Sequence, residues 1–371
     1  MALNEREYSF WFCSLSRLTA RTKSRLKEAL GGEEELYRAS EKAVMEALQS
    51  VPRVRNRERI LEMLQESRNE ERIRRAYDRM EQTGIRLVTR EDPEFPEKLE
   101  GIVDCPSGLF VKGRLPDPKR PAAAVVGSRS CSFYGRTAAR ELGRTLAKAG
   151  VQVISGLALG IDAAGHRGAL DSCGRTFGVL GCGPDQIYPR ENESLFGRVA
   201  EAGGLISEYP PGVGPEAWHF PARNRIISGL SDSIAVVEAG KKSGSLITAS
   251  YALEQGKDIW AVPGRMGEYL SQGTNMLIRD GAFLLTEPED MLMSWNLTGK
   301  RNFEKIKLSL DKNEEKVYSC LDSDPKSEER LCEESGLDSA VVAAVLVDLE
   351  LEGLAVQPFR HYYTAKRDKG E

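Results

Sequence analysis

A chain of 371 residues, 40% apolar and 29% charged, is long enough for two or three domains, and its seven cysteines without a CxxC pair and three histidines argue against a disulfide framework or zinc site. No apolar run reaches the roughly 18 to 20 residues of a membrane helix, and MALNEREYSF lacks the basic-then-apolar layout of a secretion signal, so a cytoplasmic protein is expected. The net charge of −4 is uneven: residues 313–371 carry 7 Lys+Arg against 14 Asp+Glu, leaving the first 312 with 45 against 42, so a polyanion partner is excluded only for the tail.

Residues 1–80 read as helical, with an apolar opening through Leu18, then TARTKSRLKEAL closed by Gly31-Gly32, then EEELYRAS and two charged helices. The alternating arginines 53, 55, 57 and 59 read as a solvated face. Residues 84–115 form a connector with strands and many turn residues. From Ala122 short apolar strands are expected near 122–126, 151–154, 176–180, 205–207, 233–237, 258–262 and 282–285, with helices between most of them. Repeated βα units predict an α/β fold with a Rossmann-like, doubly wound, mostly parallel sheet, whose ligands bind beyond the carboxyl ends of the strands. There fall GSR, SGLALGID, GCGPD and EAGKKSG. The last 60 residues predict helices over Glu314–Leu321, Lys326–Ser335 and Asp338–Glu352, the last capped by Asp338 and ended by Gly353, then two strands near Pro358-Phe359 in a winged-helix pattern.

Gly127-Ser128-Arg129 follows the first strand of the sheet. Glycine admits close backbone approach, free amides and the Ser128 hydroxyl suit phosphate oxygens, and Arg129 adds a fixed cation. A GxGxxG fingerprint and a Walker loop are both missing, which demotes dinucleotide oxidoreduction and P-loop hydrolysis. SGLALGID predicts a second anion site at Ser155 and Gly156, with Asp162 capping the next helix and His166 structural. Arg136, Arg140, Arg144 and Lys148 make a basic stripe that points away from the sheet, opposite Ala138, Leu142, Leu146 and Ala149.

HFPARNRIISGL, residues 219–230, suits a nucleic-acid strand: Arg223 and Arg225 for phosphates, Phe220 and His219 for stacking, Asn224 for a base edge or sugar. Lys241 and Lys242 precede a helix N-terminus at Ser243, Gly244 and Ser245, where a phosphate is already favoured. Glu238 is expected to hold Arg225 or a loop amide, since no partnered acid or Ser-His constellation accompanies it. DSAVVAAVLVDLELEG is too apolar and acidic to read a groove, which favours protein contact or packing for the winged helix.

In order, AAAVVGSRSCSFYGR, VISGLALGIDAAGHRGAL, TFGVLGCGPDQIYPREN, ISEYPPG, HFPARNRIISGL and VVEAGKKSGSLITASYALEQGKDIWAVPG resemble the DNA-processing protein A family (DprA, also called Smf). The resemblance implies a helical, SAM or helix-hairpin-helix-like module over 1–80, a Rossmann-like single-strand DNA-binding domain over 81–298 and a winged helix over 313–371. It also implies a non-enzymatic recombination mediator without cofactor or metal, which protects single strands, as in natural transformation. Its implied partners are the RecA recombinase, single-strand-binding protein and a second copy of itself. Two departures stand out: Leu18-Thr19-Ala20 where a hairpin glycine is expected, and Glu216-Ala217 where many relatives carry a basic residue. Two rivals are weighed: a lysine-decarboxylase-like enzyme acting on nucleoside monophosphates, whose PGGxGT-x-x-E signature is missing, and a sequence-specific winged-helix regulator.

Overall fold

The computed structural model describes residues 2–52, 54, 56–297, 310–322 and 324–365, so Arg53 and Arg55 of the arginine row lie outside the described residues. The chain divides into two compact units, one of residues 1–131 and 135–297, the other of 132–134 and 298–371.

The first unit opens with α1 (Glu5–Cys13), α2 (Ala20–Leu30), α3 (Glu33–Arg38), α4 (Glu41–Ser50), α5 (Arg57–Ser67) and α6 (Glu70–Gln82). Asn4, Thr19, Ser40 and Asn69 accept backbone hydrogen bonds as N-caps, and Gly31 closes α2 at φ 100°, a left-handed turn that suits glycine. The apolar face of α1 (Phe10, Trp11, Phe12) packs with Leu26, Leu36, Leu48 and Leu64. Ile85 and Phe110 belong to the same core, so the helices are seated on β1 (Ile85–Thr89) and β2 (Gly108–Gly113) of the connector, which also holds the short α7 (Glu97–Glu100).

Then come β3 (Ala122–Val126), α8 (Phe133–Lys148), β4 (Gln152–Ser155), α9 (Ile161–Asp171), β5 (Thr176–Leu180), α10 (Glu193–Ala202) and β6 (Gly204–Ser207). The chain continues through α11 (His219–Leu230), β7 (Ser233–Val236), α12 (Gly244–Glu254), β8 (Asp258–Ala261), α13 (Gln272–Arg279), β9 (Phe283–Leu284) and α14 (Glu289–Ser294). The sheet order is β1-β2-β6-β5-β4-β3-β7-β8-β9, parallel from β6 to β9 and antiparallel at β1-β2 and β2-β6. Each expected strand from 122 onward is present within two residues of its predicted ends. Winding runs outward from β3 through β4, β5 and β6, then returns to β7 on the other side of β3. The crevice beyond the carboxyl ends of β3 and β7 is therefore the topological switch point, the place such sheets bind ligands.

Every residue of β3, β4, β5, β6 and β7 is buried, because helices cover both faces. Ile226, Ile227 and Leu230 of α11 and Ala249 and Ala252 of α12 pack on one face, and Leu142 and Leu146 of α8, Ala164 of α9 and Met291 and Leu292 of α14 on the other. The basic stripe of α8 is solvated as expected, Arg140 pairing with Asp171 at 2.7 Å and Arg144 with Glu141 at 2.6 Å. Its buried face differs slightly: Ala139 and Ala147 lie in the core, while Ala138 and Ala149 are half-buried.

The second unit contains α15 (Lys312–Cys320), β10 (Lys326–Ser327), α16 (Glu328–Ser335), α17 (Ser339–Leu351), β11 (Ala355–Phe359) and β12 (Tyr362–Ala365), with sheet order β10-β12-β11, all antiparallel. This is a winged helix around Val317, Leu331, Val342, Leu346, Leu349 and Tyr363. Two expectations are corrected. Lys326 and Ser327 pair with β12 before α16 begins, and Asp338 holds the N-cap position of α17 without a side-chain capping bond.

Candidate nucleic-acid interface

At the switch point the chain leaves β3 through Gly127-Ser128-Arg129, a loop braced from two sides. Ser128 donates its backbone N–H to the Glu238 carbonyl beyond β7 at 2.8 Å, and its own carbonyl accepts from Ile161 at the start of α9 at 3.2 Å. A Cβ on Gly127 would lie 2.6 Å from Ile161 and 2.9 Å from the Glu238 carbonyl, so only glycine fits. The Ser128 amide is thus spent on the fold. What the loop presents outward is the exposed Arg129 side chain.

Arg129 stands on the mouth of a cleft of about 480 Å³. One wall is Val126, Gly127, Arg129 and Asp162; α11 supplies Phe220, Arg223, Asn224 and Ile227; Ser243, Gly244, Ser245 and Thr248 come from the start of α12, and Tyr188 closes the side. The half-buried Phe220 ring has the Arg129 guanidinium carbon 5.2 Å and the Arg223 guanidinium carbon 5.9 Å from its centroid, and Tyr188 leans toward it at 5.5 Å. Cation, π-face and helix N-terminus converge on a space the size of one nucleotide.

Arg223 is the buried prop of this cleft. It donates to the carbonyls of Gly156 (2.9 Å) and Val179, at the carboxyl ends of β4 and β5, and from Nε to Asn224 Oδ1 at 3.2 Å. Burial lowers its pKa to about 10, with Asp162 opposing that shift. Asn224 also donates from Nδ2 to the Gly244 carbonyl at 3.3 Å, tying α11 to the start of α12.

The second anion site expected at Ser155 and Gly156 is filled from within. The Ser155 hydroxyl donates to the Val125 carbonyl at 2.6 Å, and the Gly156 amide donates to Asp162 Oδ2 at 3.1 Å. Asp162 therefore serves the β4 loop, while Gly160 occupies the N-cap position of α9. Burial raises the Asp162 pKa, and neighbouring Arg223 pulls the other way. His166 is structural as expected: Thr176 donates its hydroxyl to the Val153 carbonyl at 2.9 Å and so accepts from His166 Nδ1 at 2.6 Å. Desolvation lowers the His166 pKa to about 3.

Within α11 the side chains divide by direction. Phe220, Arg223 and Asn224 line the cleft, whereas Arg225 points away and grips both oxygens of Glu208 at 2.8 Å, with Nε donating to the Asp104 carbonyl at 2.8 Å. Burial alone would lower the Arg225 pKa, and the Glu208 pair outweighs it and raises it. Glu238 accordingly does not hold Arg225; its carboxylate lies against Gly135 in the first turn of α8. His219 is 1% exposed, stacked on Tyr209 at 3.8 Å with Nδ1 donating to the Gly181 carbonyl at 3.0 Å, so its ring offers no open face.

Lys241 and Lys242 are exposed in the turn before α12, whose N-cap Ser243 accepts from Ser245 N. They flank the cleft without lining it. Tyr188, 41% exposed, and the buried Thr248 were missed from the sequence. Tyr188 follows β5 within GCGPDQIYPREN, so the carboxyl-end rule already pointed to its loop.

Residues 86–296 match the family model for DNA recombination-mediator protein A, and residues 304–357 match that for the DprA winged helix domain. Protein Smf of Escherichia coli is 46% identical over 214 residues, 57% of this chain and 57% of its own, so the matched stretch spans little more than half of that relative. The X-ray structure of DprA from Streptococcus pneumoniae superposes with a TM-score of 0.65 at 32% identity, covering 79% of this chain and 98% of that one. DNA processing protein A of Helicobacter pylori, described for its unique single-stranded DNA binding mode, gives 0.51 at 30% identity over 57% of this chain and 96% of that one. The chain belongs to the DNA recombination-mediator protein A family, DprA/Smf.

Proposed function

We propose that the switch-point cleft binds single-stranded DNA one nucleotide deep, with the remaining strand following Arg129, Lys241 and Lys242 outside it. The observation that carries this reading is Arg129 poised over Phe220 beside the N-terminus of α12, a cation, a stacking face and the positive end of a helix dipole lining one cleft. A similar protein described for single-stranded DNA binding supports it.

In this reading the protein is a binding protein rather than an enzyme. Asp162, the acid that lines the cleft, and the buried His166 and His219 are each engaged within the fold. The division into a helical module over 1–80, a strand-binding domain over 81–298 and a winged helix over 313–371 is kept as part of the proposal. So is a cytoplasmic role in recombination and natural transformation: protecting strands and loading the RecA recombinase onto DNA covered by single-strand-binding protein. A homodimer fits the open sheet edge at β9, where Phe283 and Leu284 are about half exposed. The loading claim is tested by following ATP hydrolysis by RecA on single strands pre-coated with single-strand-binding protein. Adding this protein should abolish the lag; an unchanged lag contradicts loading, and turnover of a nucleoside monophosphate that Glu238→Gln abolishes would favour an enzyme.

A further inference from the structure

We propose that the outward face of α17 docks a basic, amphipathic helix of a protein partner and does not bind duplex DNA. In winged helices the helix in this position is the one that enters the groove, where it needs basic or amide side chains. Ser339–Leu351 contains no Lys, Arg, Asn or Gln. One side of α17 is the core of the unit, with Val342, Val345, Leu346 and Leu349 buried. The other exposes Ala340, Ala344, Val347 and Leu351, spaced four, three and four apart, with Val347 53% and Leu351 81% exposed. That spacing forms a single stripe along a helix. Alanines in its first half admit a close helix backbone, and Val347 and Leu351 supply larger side chains in the second half.

Charge selects the occupant. Asp348, Glu350 and Glu352 are all exposed near the large end of the stripe. Residues 310–365 hold 13 Asp+Glu against 5 Lys+Arg. Two of those five bases are neutralised inside the unit, Lys326 by Glu334 at 2.6 Å and Asp322 at 3.3 Å, and Arg330 by Glu334 at 2.8 Å. A polyphosphate meets a repelling field here, whereas a helix with Leu or Ile along one side and Lys or Arg beside it meets both an apolar stripe and opposite charge. None of these residues lines the switch-point cleft.

The test uses the full-length protein and a fluorescein-labelled 18-residue helical peptide of Leu and Lys only, followed by anisotropy. Saturable binding is expected, weakened about tenfold or more by Val347→Ser/Leu351→Ser, which leaves every charge in place. Asp348→Asn/Glu350→Gln/Glu352→Gln should weaken binding and flatten its salt dependence, and a Leu and Glu twin peptide should not bind. Equal affinity of parent and Val347→Ser/Leu351→Ser would overturn the proposal, leaving only general charge attraction. So would duplex binding that the double variant removes, or parent self-association in sedimentation that it abolishes. Should the double variant lose helical circular dichroism, Leu351→Ser alone at the most exposed position carries the same comparison.

Discussion

Arg129 lies over the Phe220 ring, its guanidinium carbon 5.2 Å from the centroid, and under the proposed strand binding the cation and the ring would contribute with different salt dependence. Arg129→Ala should make the slope of log affinity against log salt shallower by about 0.7, one phosphate contact on a single strand. Phe220→Leu should cost about 1–3 kcal/mol of binding at every salt concentration and leave the slope alone. Anisotropy titrations across a salt series separate the two; interchanged signatures would show the roles assigned wrongly.

Arg225 predicts the opposite pattern. Its guanidinium is spent on Glu208 and the Asp104 carbonyl, with 7% and 16% side-chain exposure for the ion pair. Arg225→Ala leaves the largely buried Glu208 carboxylate without its cation and should lower unfolding free energy by about 3 kcal/mol while keeping the salt slope of strand binding. Urea unfolding and the salt series together check it. An unchanged stability with a shallower slope would make Arg225 a strand contact after all.

His166 makes stability pH-dependent. Its pKa falls from 6.5 to about 3 on burial, so the unfolded chain takes up the proton first as pH drops. The contribution is complete above the unfolded pKa and is lost as pH falls from about 6.5 toward 3, at up to about 1.4 kcal/mol per pH unit. His166→Asn keeps a donor for Thr176 and removes the titration. Denaturant unfolding from pH 7 to pH 4 should therefore show a shallower pH dependence in the variant, and parallel curves would refute the assignment.

Removing residues 313–371, which are net −7, should leave single-strand affinity within about twofold, because the field of that unit repels phosphates. Loss of most affinity in a truncated protein that still unfolds cooperatively would place strand contacts on the winged helix.

The fold was legible because parallel strands buried on both faces appear as short apolar runs, and the order Ala122–Val126, Gln152–Ser155, Thr176–Leu180 is visible without any contact information. The carboxyl-end rule then located the cleft. Side-chain direction was not legible: Arg223 and Arg225 are two residues apart on α11, about 200° around the helix axis, so one props the cleft and the other leaves it. Nor did the sequence reveal that loop amides would find partners inside the protein, as Ser128 does with Glu238 and Gly156 with Asp162. The first joins segments far apart in the chain and the second closes a loop between β4 and α9, and periodicity carries no information about either.

The most direct test of the cleft is a competition titration of the full-length protein bound to a labelled oligo-dT, against unlabelled single strand and duplex of equal length. The parent should release the label to single strand at concentrations at which duplex has no effect, and Arg129→Ala/Lys241→Ala should lose most of its affinity. Equal competition by duplex, or a double variant that binds like the parent, would contradict a single-strand site at this cleft.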